Sequence, residues 1–230
     1  MAYSIVLFDA DNTLLDFSRA EHDALCECLS ARGISTDKDT VALYSAINDS
    51  HWKRLERGET TRSRLRVERF TEFFSVVGYS GDPVAMADDY VAALSRQSHL
   101  IDGSLELIQA LYGRCRLYII TNGITSVQKS RFGRCPLAPY FDRCFISEEM
   151  GFAKPDKRFF DLVAASVPNF IPEETIVIGD SLSSDIQGGI NAGLDTCWFN
   201  PHSKNPPSDM TITYTVSRLE DIQDILLGKK

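Results

Sequence analysis

The chain has 230 residues, 43% apolar and 24% charged; these are ordinary globular values, and the length is enough to bury a core without staples, which excludes a disordered tail and a fibrous repeat. Lys and Arg number 24 against 32 Asp and Glu, a net charge of −8 that argues against general binding to nucleic acid or to an anionic membrane. The longest apolar runs, such as residues 5–8 and 117–120, fall far short of the about 18 residues needed to cross a bilayer.

Residues 4–8 form a short β-branched run that ends in Asp9, the pattern of a buried strand. No basic-then-apolar leader opens the chain, since this first run meets acid at once, and the expected location is the cytoplasm. From about Phe17 to His99 no strand is evident. The segment reads as helices broken near Gly33, Gly58 and residues 77–83. Strand patterns then return at residues 116–120, 143–146, 175–178 and 195–199, with a weaker sixth at 211–216. Helical spacing links Leu105, Ile108, Leu111 and Tyr112, then Phe160, Val163, Ala164 and Val167, then Ile186 and Ile190. Alternating strands and helices, with strands apolar throughout, predict an α/β fold with a parallel sheet. The helical insert predicts a second domain, a lid hinged near residues 16–18 and 98–102. The core is then expected over 1–16 and 100–230, and the cap over 17–99. The six cysteines (Cys26, Cys28, Cys115, Cys135, Cys144 and Cys197) make no CxxC pair and no zinc spacing, and are expected as unbonded thiols in a reducing compartment.

Ligands of such sheets bind beyond the carboxyl ends of the strands, so the polar residues there are the candidates for chemistry. Asp9-Ala10-Asp11-Asn12-Thr13 follows the first strand. Two carboxylates on one extended turn repel unless a cation or proton intervenes; the alternative is a polar capping turn. Gly179-Asp180 through Asp185 follows the fourth strand, with Ser183 or Ser184 placed to cap a helix carrying Asp185. Oxygen donors without Cys or His select Mg²⁺ over zinc. Thr121-Asn122-Gly123 can offer a hydroxyl and main-chain N–H groups to phosphate. Lys154 stands on the loop before Pro155. Each signal alone also fits a plain turn. Together they have a logic. A carboxylate attacking a doubly charged phosphate monoester meets repulsion on the order of 8 kcal/mol, taking about 4 kcal/mol per charge pair at ~4 Å and an effective dielectric near 20. A divalent metal and a lysine offset that repulsion. A second acid can protonate the leaving oxygen and then activate water.

Those four motifs, Asp9 to Thr13, Thr121-Asn122, Lys154-Pro155 and Gly179 to Asp185, resemble the haloacid dehalogenase (HAD) superfamily of phosphohydrolases in order and over nearly the whole chain. The resemblance implies a Rossmann-like core with an inserted α-helical cap. It implies Asp9 as nucleophile and Asp11 as general acid/base. Mg²⁺ would be held by Asp9, the Asp11 main-chain carbonyl and Asp180, with Asp185 supporting the metal's water shell. Thr121 and Asn122 would bind the transferring phosphoryl group, and Lys154 would balance its charge. Asn12 departs from the pattern, which usually has Gly there. Residues 119–126, 146–155 and 188–200 resemble the YjjG/YfnB-type branch, whose bacterial members are nucleoside 5′-monophosphate phosphatases favouring pyrimidine deoxynucleotides. The implied activity is a 5′-nucleotidase acting on a small phosphomonoester. The alternatives are a sugar phosphomutase or sugar-phosphate phosphatase of the same fold and, more remotely, a phospho-acceptor signalling module. Within the cap, residues 51–70 carry a surplus of four positive charges, with Arg62, Arg66 and Arg69 on one helical face. They read either as a solvated surface or as a basic rim for phosphorylated substrate. Trp52 and Phe17 read as core packing or as a stacking surface for a base.

Overall fold

A computed structural model describes residues 3–228. Its sheet has six strands: β1 (Ile5–Phe8), β2 (Arg116–Thr121), β3 (Arg143–Ile146), β4 (Thr175–Gly179), β5 (Asp195–Phe199) and β6 (Tyr214–Val216). Their spatial order is β3-β2-β1-β4-β5-β6, and every pairing is parallel. The weak sixth strand is shorter than its sequence pattern. Thr213 precedes it and exchanges bonds with Thr196 and Asp195 instead of joining the ladder.

Alternate residues of each strand face opposite layers. Val6, Phe8, Ile119 and Ile178 pack into one apolar cluster with residues of α5 (Ser104–Leu111) and α10 (Leu219–Leu227). Ile5, Leu7, Ile120 and Val177 pack into a second with α8 (Lys157–Ser166). Apolar strands of this kind are stable only when both faces are covered. The winding direction reverses between β1 and β4, which opens a crevice at their carboxyl ends.

The chain divides into two compact units, residues 1–17 with 98–230, and residues 18–97. In the first unit the departing and returning segments are paired. The Asp16 N–H donates to the His99 carbonyl at 3.0 Å, and the Ile101 N–H to the Leu14 carbonyl at 3.0 Å.

The second unit is helical: α1 (Phe17–Ser30), α2 (Lys38–Glu56), α3 (Arg62–Val77) and α4 (Pro83–Leu94). Asp37, Thr61 and Asp82 cap the starts of α2, α3 and α4, and Gly78 ends α3 at φ +70°. Its core is aromatic. Tyr44, Phe70, Phe73 and Tyr90 are buried and meet with centroids 5.1–5.7 Å apart. The basic-rim reading changes here. Arg69 is 2% exposed, lies 5.0 and 4.8 Å from the centroids of Phe70 and Tyr90, and donates to Asn48 Oδ1 at 2.7 Å. Asn48 in turn donates to Glu21 at 2.6 Å. Arg66 pairs with Asp88. The shared face therefore points partly inward, where a guanidinium over rings and a polar relay hold the helices together.

All six cysteines are free thiols. Among the described residues no helix is long and apolar enough to cross a membrane.

Candidate active site

Asp9 is the first residue past β1, and its N–H still bonds the Ile178 carbonyl of β4 at 2.8 Å. The nucleophile candidate is thus fixed to two central strands. Asp180 is likewise the first residue past β4, its carbonyl held by the Trp198 indole N–H at 2.9 Å. Asp185 lies on a π-helical turn, Leu182–Ile186, that leads into the short helix at Gln187–Ala192. The cap of this turn is Ser181, which accepts from the Ser184 N–H at 3.2 Å, and not Ser183 or Ser184 as the sequence suggested.

Lys154 brings these acids together. Its ammonium, 2% exposed, donates to Asp9 Oδ1 at 2.7 Å, Asp185 Oδ1 at 2.6 Å and the Ile120 carbonyl at 2.9 Å. Three donors meet three acceptors, so the buried cation is fully satisfied. Burial pulls its pKa down, but Asp185 and Asp9 outweigh burial and hold it above the ordinary lysine range. Asp9 moves the other way. Burial pushes it well up, Lys154 only partly reverses this, and Asp185, Asp180 and Asp11 add to the rise. Burial, and then the charge of Asp185, push Asp180 from 3.8 to about 7.

Asp9, Asp180 and Asp185 each place an oxygen within 4.8 Å of the others. Once ionised, the three carboxylates face one ammonium, which leaves two negative charges uncompensated. A hard divalent cation fits both that deficit and an all-oxygen donor set. Linkage gives a test. Because Asp180 binds its proton more tightly folded than unfolded, metal-free protein loses stability as pH rises from about 4 to about 7. Added Mg²⁺ should therefore raise the melting temperature more at pH 8 than at pH 5. An equal shift at both values would contradict the charge count.

The remaining predicted residues lie around this cluster. Thr121 Oγ1 accepts from the Gly123 N–H at 3.0 Å and from Gln128 Nε2 at 2.9 Å, which leaves its own hydrogen for a further acceptor such as a phosphate oxygen. The Asn122 side chain is engaged with the lysine loop. Its side chain donates to the Lys154 carbonyl at 2.8 Å and accepts from the Lys154 N–H at 3.0 Å, so it clamps the lysine loop to the end of β2. A phosphoryl contact from Asn122 then falls to its main chain. Thr13 is buried and donates to Asp9 Oδ2 at 3.3 Å. Asn12 stands at φ +61°, a left-handed conformation that Asn tolerates, and this accounts for a residue other than Gly at that point of the turn.

Two residues escaped the sequence reading. In α6 (Thr125–Arg134), Arg131 donates to Asp11 Oδ1 at 2.5 Å and Gln128 to Asp11 Oδ2 at 2.5 Å. Both are buried beside Val127. The available signal was polar residues spaced three apart on the apolar face of an otherwise polar helix.

Gly179 is dictated by Asp185. A Cβ there would lie 2.2 Å from Asp185 Oδ2 and 2.4 Å from its Cγ. Asp185 cannot yield, because Lys154 holds one oxygen and the Ser181 N–H the other at 3.1 Å. Gly179→Ala should cost about 1–3 kcal/mol, read as a lower denaturation midpoint; an unchanged midpoint would show that Asp185 is loosely held.

The family model for haloacid dehalogenase-like hydrolases matches residues 3–193. Pyrimidine 5′-nucleotidase PynA of Streptococcus pneumoniae is 38% identical, covering 98% of this chain and 96% of its own. Pyrimidine 5′-nucleotidase YjjG of Escherichia coli is 32% identical, covering 98% and 99%. The crystal structure of YfnB from Bacillus subtilis, bound to magnesium, superposes with a TM-score of 0.94 at 39% identity, covering 98% of this chain and 99% of that one. From motif order, sheet order and this match over most of its length, the chain belongs to the haloacid dehalogenase-like hydrolases.

Proposed function

We propose that this chain is a cytoplasmic, Mg²⁺-dependent phosphatase that hydrolyses pyrimidine nucleoside 5′-monophosphates through an aspartyl phosphate on Asp9. The observation that carries the reading is Lys154 bridging Asp9 and Asp185 beside Asp180: a buried carboxylate with a cation at one oxygen and a site for a second cation next to it. The substrate class rests on relatives that are named pyrimidine 5′-nucleotidases and align over nearly their full lengths.

Asp9 attacks phosphorus, forming the acyl phosphate as the ester P–O bond breaks. Asp11 gives its proton to the departing alkoxide, then takes one from the water that attacks the phosphoenzyme, releasing inorganic phosphate and restoring Asp9. Thr121 holds a phosphoryl oxygen, and the Lys154 charge offsets the anion gathering beside Asp9. Magnesium, held by Asp9, the Asp11 carbonyl and Asp180 with Asp185 in support, would supply Lewis-acid neutralisation of that charge. Residues 18–97 are proposed as the cap domain that selects substrate.

A panel of nucleoside 5′-monophosphates and sugar phosphates, with Mg²⁺ or with EDTA, tests the reading. Pyrimidine nucleotides should release phosphate at least about tenfold faster than sugar phosphates, and EDTA should abolish release. A preference for sugar phosphates would reassign the substrate. Phosphate returned to the sugar in place of release would identify a mutase, and full activity in EDTA would remove the metal.

A further inference from the structure

Both oxygens of the Asp11 carboxylate are engaged by donors from one face of α6. Arg131 Nη1 holds Oδ1 and Gln128 Nε2 holds Oδ2, each at 2.5 Å. A carboxylate held at both oxygens cannot turn about its Cβ–Cγ bond. The same Gln128 nitrogen also donates to Thr121 Oγ1 at 2.9 Å, so a single amide ties Asp11 to the hydroxyl at the end of β2. Arg131 is fully buried, with the Phe17 ring 5.7 Å from its guanidinium carbon. An unpaired cation there would be strongly destabilising, and Asp11 is a carboxylate partner for it. The turn at residues 121–123 is cut to admit this clamp, since a Cβ on Gly123 would lie 2.2 Å from Gln128 Nε2.

We propose that Arg131 and Gln128 are positioning residues that hold the Asp11 carboxylate in the orientation needed to protonate the leaving oxygen, in register with the phosphoryl group at Thr121. The proposal rests on the phosphatase reading above. Its signature is leaving-group dependence. A nucleoside alkoxide needs a proton to depart, whereas p-nitrophenolate leaves without one. The parameter to compare is kcat/KM, which reports steps up to leaving-group departure.

The experiment measures kcat/KM for a pyrimidine nucleoside 5′-monophosphate and for p-nitrophenyl phosphate, in wild type, Arg131→Lys and Gln128→Met. In each variant the nucleotide should lose about 10²-fold and the aryl ester less than about fivefold, because general acid catalysis contributes about 10²–10⁴-fold only where a proton is transferred. In an Asp11→Asn background neither substitution should lower nucleotide turnover further. Equal losses on both substrates, an additive loss in the Asp11→Asn background, or no loss at all would overturn the proposal. Faster nucleotide turnover would also overturn it, by showing that the clamp parks Asp11 away from its task. Gln128→Met keeps the question open to measurement if Arg131→Lys does not fold, since Thr121 retains its bond from the Gly123 N–H. A wild type that hydrolyses neither ester defeats the phosphatase reading, and this inference with it. A wild type that hydrolyses both, with variants that fail to discriminate, defeats the inference alone.

Discussion

Asp9→Asn should stop phosphate release while the protein stays folded. The amide is nearly the shape of the carboxylate but does not attack phosphorus, so turnover should fall by about 10⁴-fold or more. Acid-quenched reactions should trap no phosphoenzyme. The fold should hold because the substitution removes charge from an over-acidic cluster. Burial already pushes the Asp9 carboxyl toward its neutral form, and Lys154 keeps Asp185 and the Ile120 carbonyl as partners. A denaturation midpoint at or above that of the wild type is therefore expected without metal. Retention of more than a tenth of the activity would remove Asp9 from the role of nucleophile.

Lys154→Met should fail on two counts, in activity and in stability. Methionine fills similar space but leaves Asp9, Asp180 and Asp185 with no cation among them. Removing one partner from a buried ion cluster costs about 3–5 kcal/mol. The sign with pH follows from proton binding. Acids crowded without their counter-ion hold protons more tightly folded than unfolded, so the variant's deficit should be largest near pH 8 and shrink toward pH 5. Activity should drop by about 10³-fold at any pH, because in the proposed mechanism the lysine charge also offsets the phosphoryl anion. Chemical denaturation at the two pH values, alongside turnover, checks both. A deficit that is flat with pH would show that the lysine holds the loop by packing alone.

The parts of the site legible in the sequence were those set by position along a strand. Asp9 and Asp180 each stand one residue beyond an apolar run, and a parallel sheet brings such ends together whatever lies between. Lys154 was legible only through its order among the motifs, since nothing local marks its loop as buried. The role of Asn122 was not legible: its side chain meets the main chain of a residue 32 positions away, and turn composition carries no trace of that approach. Gln128 and Arg131 were missed for a related reason. They are polar residues at buried helix positions, and periodicity counts polar residues as outward-facing. The same rule misled the reading of Arg69. Spacing shows which residues share a face, but whether that face meets water depends on what other helices supply, here the Tyr90 ring of α4 and Asn48 of α2.

The bonds from Asp16 to His99 and from Ile101 to Leu14 mean that the chain leaves and re-enters the catalytic unit through one doorway. A segment bounded in this way can be excised, lengthened or exchanged without re-threading any strand. If residues 18–97 select substrate as proposed, what they discriminate can be rewritten wholesale while the carboxylates inherit their places, so a single chemical engine is open to many vocabularies of substrate.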